Sequence, residues 1–504
     1  MDHDFSLQLD APLPRAALDN PRQYAGAVRM FSGFPEYLRA QEALDQALFG
    51  NAVIDPEYER QEGIRDVIQA VRDQASLIFV SGRAGTGKSR LIDYLRRMPE
   101  GRRQVVVAPT GVAALALRAS TIHSFFRLPI GVIDAAALVS DGVEPAAVLR
   151  QMSRLVIDEV GMTRADILDA IDMRMRIARG DPRPFGGVQV IMVGDFLQIP
   201  PIVRDEDRAI LERLGYETPF AFSAKVMQRA PVRVATLRKV WRQSDPAFIS
   251  VLGALREGRN AQSAIDWLNA HCARPHRPGA VPLMLTATRA TAEAYNAEGI
   301  ASLLADSACR LTRFVARCSG AFDAKHEALP APETLKLCPG VRVMSLRNDP
   351  AGQFVNGSLG EVIDLWDGDG DLDLAFVLVR FDGREAPTRI TVAEWAKSRQ
   401  VWDREADTIA ETTVGVFRQI PLTYGYAITI HRSQGLSLDD VRIDLGRGAF
   451  APGQLYVALS RARSIDGLSL ARPIDLADVR VDTMLLRFLE WTRSAENLEF
   501  PDTH

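Results

Sequence analysis

The chain has 504 residues, of which 47% are hydrophobic, and it is therefore too long for a single core. We expect several folded domains. Because 60 basic residues stand against 64 acidic ones, the formal net charge is only -4. This balance excludes a uniformly basic coat of the kind that covers a nucleic acid, so any nucleic-acid contact must be local.

Neither the cysteines nor the amino terminus indicates a metal site or export. The four cysteines form no C-x-x-C pair and have no histidine partners at zinc spacing, so we expect reduced thiols. The first residues lack a basic start followed by an apolar run, and no stretch approaches about 18 consecutive apolar residues. We expect a cytoplasmic protein without a membrane segment, in which residues 1–50 form an arm with no assigned chemistry.

A strand, a glycine-rich loop and a helix mark the first predicted domain, residues 51–230. Short apolar runs predict its strands at residues 77–80, 105–107, 155–157 and 188–193, and a further run lies at residues 234–237. Continuous runs of this kind are typical of a parallel sheet covered by helices on both faces. The gap between the second and third strands is longer than one crossover helix needs, so we interpret about 127–150 as an insertion.

A second set of apolar runs predicts another α/β sheet, formed by residues 231–338 and 412–504. The runs lie at residues 283–285, 427–430, 441–445 and 468–470. Residues 339–411 interrupt this set with period-two alternation and turn signals, which predicts an inserted small β-barrel. Within it, the acidic run from Asp367 to Asp371 predicts a polar hairpin turn, because Leu372 and Leu378 replace the glycine and glutamate of a calcium loop.

Residues 82–89, GRAGTGKS, match the complete phosphate-loop pattern G-x-x-x-x-G-K-S in a strand-loop-helix context. A glycine turn that only happens to precede Lys-Ser is the weaker interpretation. The glycines let backbone N–H groups wrap the phosphates, Lys88 neutralises the β- and γ-phosphates, and the Ser89 hydroxyl ligates Mg²⁺. The predicted ATP-binding residues of this loop are Gly82, Gly85, Thr86, Gly87, Lys88 and Ser89.

Polar side chains follow two neighbouring strands and point to hydrolysis. Asp158 is suited to hold Mg²⁺, and Glu159 is suited to orient or deprotonate the attacking water. Gln198 follows the strand at residues 188–193 and is predicted to sense the γ-phosphate, although a lone glutamine there is more often structural. Gln61, one helix before the first strand, is predicted to hydrogen-bond the adenine edge.

Taken together, these motifs resemble the Pif family of 5′-to-3′ DNA helicases, of bacterial type, in superfamily 1B. The resemblance runs from about Gln61 to Arg472. The motifs that carry it are GRAGTGKS, APTGVAALALRASTIHSFF, LVIDEVGM, PFGGVQVIMVGDFLQIPP, LRKVWRQ, TYGYAITIHRSQGLSL and GQLYVALSRAR. One departure is Gly161, which stands where the family usually has serine.

The resemblance implies a fold and a nucleotide site. It implies two RecA-like domains with ATP in the cleft between them, a wedge inserted in the first and an SH3-like β domain inserted in the second. It also implies that Arg242 and Arg461 reach across the cleft to the γ-phosphate as arginine fingers. Without the resemblance, each arginine is more readily explained as a surface charge or an ion pair.

The predicted DNA track consists of small hydroxyl and imidazole groups, which bind phosphates and sugars without reading sequence. On the first domain the candidates are Thr110, Gly111, Thr121, His123 and Ser124. On the second domain, the resemblance and the intact HRSQG motif favour Thr288, His431, Ser433 and Gln434. The adjacent Phe125 and Phe126 are interpreted as core residues rather than stacking platforms.

The resemblance therefore predicts a monomeric motor that binds single-stranded DNA and forked or tailed duplexes, with roles in replication, repair or maintenance of telomeres and G-quadruplexes. Its site of work would be the bacterial nucleoid. ATP would hold the cleft shut and hydrolysis would let it open, while a loop around residues 128–141 splits the duplex.

Two alternatives differ from this motor. One is a RecD-like motor of the same superfamily that unwinds only within a larger complex. The other is a non-motor ATP switch, which binds nucleic acid and uses hydrolysis only for release; such a switch does not need the complete TIHRSQG and ALSRAR motifs. An RNA substrate also stays open, because a track that reads phosphates does not itself exclude the 2′-hydroxyl.

Overall fold

A computed structural model describes residues 56–98, 103–117, 119–143, 146–275, 281–306, 310–320, 329–349, 353–403 and 408–496. The predicted arm, residues 1–50, lies outside the described residues. The chain divides into two compact units, residues 1–65 and 66–504. In the first unit the described residues form α1 (Pro56–Glu59) and the start of α2 (Glu62–Arg72). The sheets lie in the second unit.

The first sheet confirms the predicted parallel arrangement. Within the described ranges its strands are β1 (Leu77–Gly82), β2 (Gln104–Ala108), β3 (Ser120–Thr121), β4 (Arg154–Ile157), β5 (Gln189–Gly194) and β6 (Val232–Leu237). Their order is β3-β2-β4-β5-β1-β6, and all neighbours are parallel. Since β6 pairs along its full length with β1, the sheet continues past residue 230, and the boundary predicted there was too early.

Helices cover this sheet. One of them also holds the segment that we interpreted as an insertion. The helices are α3 (Lys88–Arg97), α4 (Gly111–Ala116), α5 (Ile122–Phe126), α6 (Val148–Gln151), α7 (Ala165–Arg179) and α8 (Asp205–Arg213). The segment after α5 packs against α7. There the buried Asp166 carboxylate accepts the Ile133 N–H at 2.8 Å, and the fully buried Arg174 donates to the Arg127 carbonyl at 3.4 Å.

The remaining strands form the second half of the unit. They are β7 (Leu283–Thr286), β8 (Thr312–Val315), β9 (Arg317–Gly320), β10 (Thr334–Leu337), β11 (Arg342–Ser345), β12 (Leu359–Trp366), β13 (Phe376–Phe381), β14 (Thr388–Thr391), β15 (Ala393–Asp403), β16 (Thr408–Gln419), β17 (Leu422–Tyr424), β18 (Ala427–Thr429), β19 (Val441–Asp444) and β20 (Leu468–Leu470). The helices are α9 (Pro246–Glu257), α10 (Ala261–Cys272), α11 (Arg289–Asp306), α12 (Gln454–Leu459) and α13 (Thr483–Glu496). In the part of the chain that the structure describes, no helix is both long and apolar enough to cross a membrane.

The four apolar runs of the second set form a parallel sheet, whose strand order is β18-β7-β19-β20. Antiparallel strands interrupt it, in a sheet of order β14-β13-β12-β11-β17 and in the smaller groups β15-β16-β9 and β10-β8. The antiparallel region therefore extends from β8 to β17, beyond the predicted 339–411 at both ends. Short strands such as β17, which has 3 residues, join the sheet through backbone hydrogen bonds. Their side-chain pattern is too short to predict a strand. The run after Asp367 forms the turn between β12 and β13, as predicted.

The last helix, α13, packs on the first sheet rather than on the second. The ring of Phe488 stacks on Phe222 with centroids 4.4 Å apart, and it lies edge-on to Phe196 at 4.9 Å and to Phe79 at 5.5 Å. The assignment of all of 412–504 to the second sheet was therefore wrong for α13. The reason is its aromatic face, which completes the core of the first sheet.

Candidate functional site

The loop between β1 and α3 has the backbone shape that its glycines allow. Gly85 and Gly87 have φ values of 77° and 88°, a region that residues with a side chain rarely adopt. A Cβ on Gly82 would lie 2.6 Å from the Thr86 hydroxyl oxygen, which itself donates to the Arg83 carbonyl at 2.9 Å. The loop therefore turns tightly and leads into the first turn of α3, where backbone N–H groups can bind an anion.

Lys88 opens α3 and reaches back over the loop. Its Nζ donates to the carbonyl oxygens of Gly82 at 2.9 Å and Arg83 at 3.2 Å. Ser89, the next residue of the helix, is exposed. The ammonium group and the hydroxyl thus lie together at the start of the helix, as the phosphate-loop pattern predicts.

Two carboxylates follow β4, beside this loop. Asp158 is 6% exposed, and burial together with the neighbouring Glu159 raises its pKa to about 7, against the opposing effect of Lys88. No described residue donates a hydrogen bond to its buried Oδ1 atom. Glu159 has a φ of 48°, in the left-handed region that costs energy for a residue with a side chain. This strained turn presents both carboxylates at the edge of the sheet.

Gly161 has a structural reason for lacking a side chain. A Cβ at this position would lie 2.7 Å from the carbonyl oxygen of Asp195, which follows β5. The loops after β4 and β5 thus approach each other too closely for serine in this backbone arrangement.

Two arginines lie close together where the segment after β6 meets the second half of the unit. Arg242 follows β6 and donates from Nε to the Ser437 hydroxyl at 2.7 Å and from Nη1 to the Ser460 carbonyl at 3.1 Å. Arg461, 2% exposed, donates from Nη1 to the Ser433 carbonyl at 3.4 Å. Burial lowers the pKa of both guanidinium groups, and burial together with the smaller effect of the nearby Arg242 lowers that of Arg461 to about 9.

Among the residues that the structure describes, no carboxylate forms an ion pair with either arginine. The hydrogen-bond acceptors of Arg242 and Arg461 there are carbonyl and hydroxyl oxygens. Glu159 acts on both electrostatically and partly offsets the lowering of their pKa. A half-buried cation and a buried one, both under the influence of one carboxylate, form a site for a further anion.

The second half of the unit contacts the phosphate loop directly. The Ala84 N–H donates to the hydroxyl oxygen of the buried Tyr456 at 3.0 Å, and the Trp241 N–H donates to the Gly85 carbonyl at 2.8 Å. The Trp241 ring is 47% exposed beside Gly87, and the Lys239 Nζ lies 3.8 Å from the centre of that ring. The loop is therefore held from both sides of the cleft.

A buried ion pair joins α9 to the loop after β5. Arg256 of α9 donates to Asp195 from Nη2 at 2.6 Å and from Nε at 3.1 Å. Gln198, 5% exposed, donates from Nε2 to the same carboxylate at 3.3 Å. In this arrangement the Gln198 side chain belongs to the Asp195 network, and a contact with a γ-phosphate would need it to turn.

The first-domain candidates for DNA contact lie at the ends of β2 and β3. The Thr110 hydroxyl accepts the Ala113 N–H at 3.3 Å and precedes α4, which begins at Gly111, while the Thr121 hydroxyl accepts the Ser124 N–H at 3.3 Å. Both hydroxyls cap short helices and retain their own O–H to donate. His123 is half-buried, and burial lowers its pKa, helped by Arg164. Phe125 and Phe126 are buried, in agreement with the interpretation as core residues.

The second-domain candidates divide into surface and interior groups. Thr288 is exposed, and His431 is half-buried with its pKa lowered by burial. Ser433 is fully buried, and its hydroxyl donates to the Ile430 carbonyl at 2.7 Å, so the predicted DNA contact of this hydroxyl is not accessible here. The Gln434 Nε2 atom is buried, and the described residues offer it no acceptor.

Sequence reasoning assigned no role to Asp195, Arg256 or Tyr456. Asp195 and Tyr456 lie within recognised motifs, so their positions gave a signal that was not used. Arg256 lies outside those motifs, and only the packing of α9 against the loop after β5 brings it to Asp195. Gln61 belongs to the other compact unit, and its adenine contact stays a prediction.

A phosphate loop, an acidic strand end and two facing arginines define a phosphate-loop nucleotide-binding α/β protein with two parallel sheets. A sequence profile described as PIF1-like helicase matches residues 58–268. The Bdellovibrio bacteriovorus protein named ATP-dependent DNA helicase Pif1 is 32% identical over 397 residues, which cover 78% of this chain and 83% of that protein. The chain belongs to the PIF1-like helicase family.

Further comparisons agree with this family. The mouse protein named ATP-dependent DNA helicase PIF1 is 34% identical over 436 residues; the match covers 84% of this chain but only 61% of the mouse protein. A crystal structure of Bacteroides sp Pif1 in complex with ADP-AlF4 is similar with a TM-score of 0.77 and 32% identity, over 86% of this chain and 97% of that one. A Bacteroides Pif1 structure in complex with ADP-AlF3 and ssDNA has a TM-score of 0.61 and 32% identity, over 85% of this chain and 96% of that one.

Proposed function

We propose that this chain is a monomeric, ATP-dependent DNA helicase that moves 5′ to 3′ on single-stranded DNA and unwinds forked or tailed duplexes. The observation that carries the proposal is the pair of the half-buried Arg242 and the buried Arg461, which donate to neutral acceptors and feel the charge of Glu159. A triphosphate bound at Lys88 supplies the negative charge that this pair lacks. Its binding therefore draws the two sides of the cleft together.

The family's other members support this assignment. The mouse and Bdellovibrio relatives are named ATP-dependent DNA helicases, and Bacteroides Pif1 has been crystallised with ADP-AlF3 and ssDNA. The direction of movement and work at the bacterial nucleoid, in replication, repair or G-quadruplex maintenance, extend the proposal beyond those names.

The residues at the end of β4 fit a bound Mg²⁺. Asp158 presents a buried carboxylate oxygen that no described residue engages, and the Ser89 hydroxyl is exposed at the start of α3. Oxygen ligands of this kind are those that Mg²⁺ prefers. When bound there, the ion neutralises charge on the β- and γ-phosphates.

Hydrolysis is assigned to Glu159 and the two arginines. Glu159 orients the attacking water and accepts its proton, and the strained turn fixes where its carboxylate lies. Arg242 and Arg461 stabilise the charge that spreads over the transferred phosphoryl group.

The DNA track is assigned to the carboxyl edges of both sheets. On the first, Thr110, Thr121 and Ser124 donate hydroxyl hydrogens, with Gly111 and His123 beside them. On the second, Thr288 is exposed and His431 is half-buried, and the buried amide of Gln434 needs its loop to open before it can donate. These groups contact phosphate and sugar and therefore suit movement along any sequence.

The contacts of the two arginines explain how ATP and DNA communicate. Arg461 donates to the Ser433 carbonyl, and Arg242 donates to the Gly435 carbonyl at 3.4 Å and to the Ser437 hydroxyl. The loop that carries His431 and Gln434 is thus hydrogen-bonded to the groups that take the γ-phosphate. When the arginines turn to the phosphate, this loop is released to shift its grip on the strand.

The inserted segments are assigned to strand separation and support. We assign residues 127–150 as the wedge, in which Ile130 is 98% exposed at the end of α5 and can press against a base pair. The antiparallel sheet centred on β12 is assigned as the SH3-like domain.

Unwinding of matched substrates tests the proposal. A labelled duplex with a 5′ single-stranded tail is compared with the same duplex carrying a 3′ tail, for the wild type and for Lys88→Ala. We expect ATP-dependent strand release from the 5′-tailed DNA alone and none with Lys88→Ala. Release from the 3′-tailed DNA would overturn the direction, and the absence of release from either would overturn the helicase assignment. An RNA tail in parallel tests the substrate class.

A further inference from the structure

We propose that Phe450 is a base-stacking residue, which adds a stacking subsite to the single-stranded DNA track on the second sheet. This inference rests on the proposed function, because it takes single-stranded DNA as the ligand. Phe450 is 57% exposed and follows β19 by a short loop. An aromatic ring exposed to this extent has apolar faces that a nucleobase can cover.

The sheet places Phe450 in line with the surface candidates of the track. Strands β18, β7 and β19 are neighbours, and their ends are level because Thr429 and Asp444 both pair with Thr286. His431, Thr288 and Phe450 each follow the carboxyl end of one of these strands. Since neighbouring strands lie about 4.8 Å apart, the three residues follow one edge of the sheet.

A buried amide ties the backbone of Phe450 to that edge. The Phe450 N–H donates to the Oε1 atom of Gln454 at 3.0 Å, and the Nε2 atom of Gln454 donates to the carbonyl of Ala287 at 3.5 Å. Gln454 is fully buried, and Ala287 directly precedes Thr288. One side chain thus bridges the loop of the ring to the strand end that carries a predicted phosphate contact.

The loop that presents the ring is fixed on its other side as well. The Ala449 N–H donates to the Oδ1 atom of the buried Asp478 at 3.1 Å, and Arg472 holds that carboxylate with a hydrogen bond of 2.7 Å. Because the backbone N–H groups of Ala449 and of Phe450 itself are both anchored, little conformational entropy is lost when a base stacks on the ring.

The same edge carries positive charge for the phosphates of the strand. Partial burial and the nearby guanidinium of Arg289 lower the pKa of the exposed Arg432, so two cations lie near His431 and Thr288, of which Arg289 is paired with Glu293 at 2.7 Å. Arg447 is exposed in the loop of Phe450. A cationic edge with one exposed ring fits a single strand, whose backbone is anionic and whose bases are unpaired.

Binding to strands with and without bases tests the stacking. The affinities of wild type, Phe450→Ala and Phe450→Trp are measured for an oligothymidine and for an abasic strand of the same length. We expect Phe450→Ala to weaken binding of oligothymidine on the order of tenfold and binding of the abasic strand hardly at all, and Phe450→Trp to keep the wild-type affinity for both. Leu476→Ala, at a side chain that is also 57% exposed, is the matched control and should change neither affinity.

The outcomes separate this inference from the proposed function. Equal weakening for both strands, or no weakening for oligothymidine, would overturn the stacking role while leaving the helicase proposal intact. Failure of the wild type to bind either strand would overturn both. Arg447→Ala should weaken both strands equally and reduce the salt dependence of binding, because it contacts phosphate rather than base.

Discussion

Arg256 of α9 and Asp195 at the end of β5 form a buried ion pair with two hydrogen bonds, of 2.6 and 3.1 Å, between the two halves of the nucleotide site. Arg256 is 4% exposed and Asp195 is 2% exposed. Burial alone would raise the pKa of Asp195, yet Arg256 holds it below its usual value. The Asp195 carboxylate of this pair also accepts a hydrogen bond of 3.3 Å from the Gln198 side chain.

Removing one partner of this pair should be costly. Arg256→Met leaves the Asp195 carboxylate buried and uncompensated, which costs on the order of 3–5 kcal/mol in the free energy of unfolding. Replacement of both, Asp195→Leu with Arg256→Met, should cost less than the single change. Chemical denaturation measures the free energy of unfolding of both variants. The control is Arg463→Ala, which breaks an exposed ion pair with Asp439 and should lower the free energy of unfolding by about 1 kcal/mol or less. A double variant as unstable as the single one would argue against the pairing.

The two arginines of the cleft should matter for turnover rather than for nucleotide binding. Arg242→Ala and Arg461→Ala remove charge that acts on the transferred phosphoryl group, and a residue in this role contributes about 10³-fold or more to kcat. Steady-state ATP hydrolysis with saturating single-stranded DNA checks this, with Arg463→Ala as the matched control. A variant whose kcat stays within a few-fold of wild type while KM rises would show that its arginine binds ATP without acting in the reaction.

Gly161 should tolerate no side chain. Because a Cβ there would lie 2.7 Å from the Asp195 carbonyl, Gly161→Ala must separate the loops after β4 and β5, at a cost of roughly 1–3 kcal/mol. The expected result is a lower unfolding midpoint and slower ATP hydrolysis, because Asp158 and Asp195 lie on the displaced loops. Unchanged stability and activity in Gly161→Ala would contradict this close approach.

Acid should destabilise the protein through two half-buried histidines, His123 and His431. Burial lowers the pKa of His123 and of His431 below the usual value of about 6.5. The stability linked to each is fully present above about pH 6.5 and is lost as the pH falls through the lower pKa of the folded state, since the unfolded chain binds the proton first. Between about pH 7.5 and 5.5, the melting temperature of His431→Asn should therefore fall less than that of the wild type. The melting temperature of His271→Asn, in which an exposed histidine is replaced, should fall as much as that of the wild type.

The wedge should separate strands without driving hydrolysis. Ile130→Ser removes an apolar side chain that is 98% exposed, so folding should be little affected. We expect slower unwinding of a forked duplex together with unchanged single-stranded DNA-stimulated ATP hydrolysis. Ile202→Ser, at a side chain that is 77% exposed and lies outside this segment, is the control. Equal unwinding rates for Ile130→Ser and wild type would remove the wedge assignment.

The sequence predicts the parts of this molecule that are local in the chain. The loop of Lys88 and the carboxylates after β4 belong to strand-loop patterns in which position along the chain sets position in space. The buried apolar runs predict that the strands of the first sheet are parallel, but not their order. These features need no knowledge of distant contacts.

The parts that the sequence does not predict depend on packing between distant segments. Arg256 reaches Asp195 only through the position of α9, and α13 returns to the first sheet because Phe488 completes its aromatic core. Ser433 has the chemistry of a DNA contact but donates inward to Ile430, because the loop turns there. Which face of a loop is exposed is a tertiary property, and a motif alone does not specify it.

The most direct measurement is a crystal structure of the protein with ADP-AlF4, Mg²⁺ and single-stranded DNA. We predict that the guanidinium groups of Arg242 and Arg461 have left the carbonyls of residues 433–435 and donate to the aluminium fluoride, opposite Lys88. If both guanidinium groups still bind those carbonyls while the nucleotide occupies the phosphate loop, the cleft does not work as a motor.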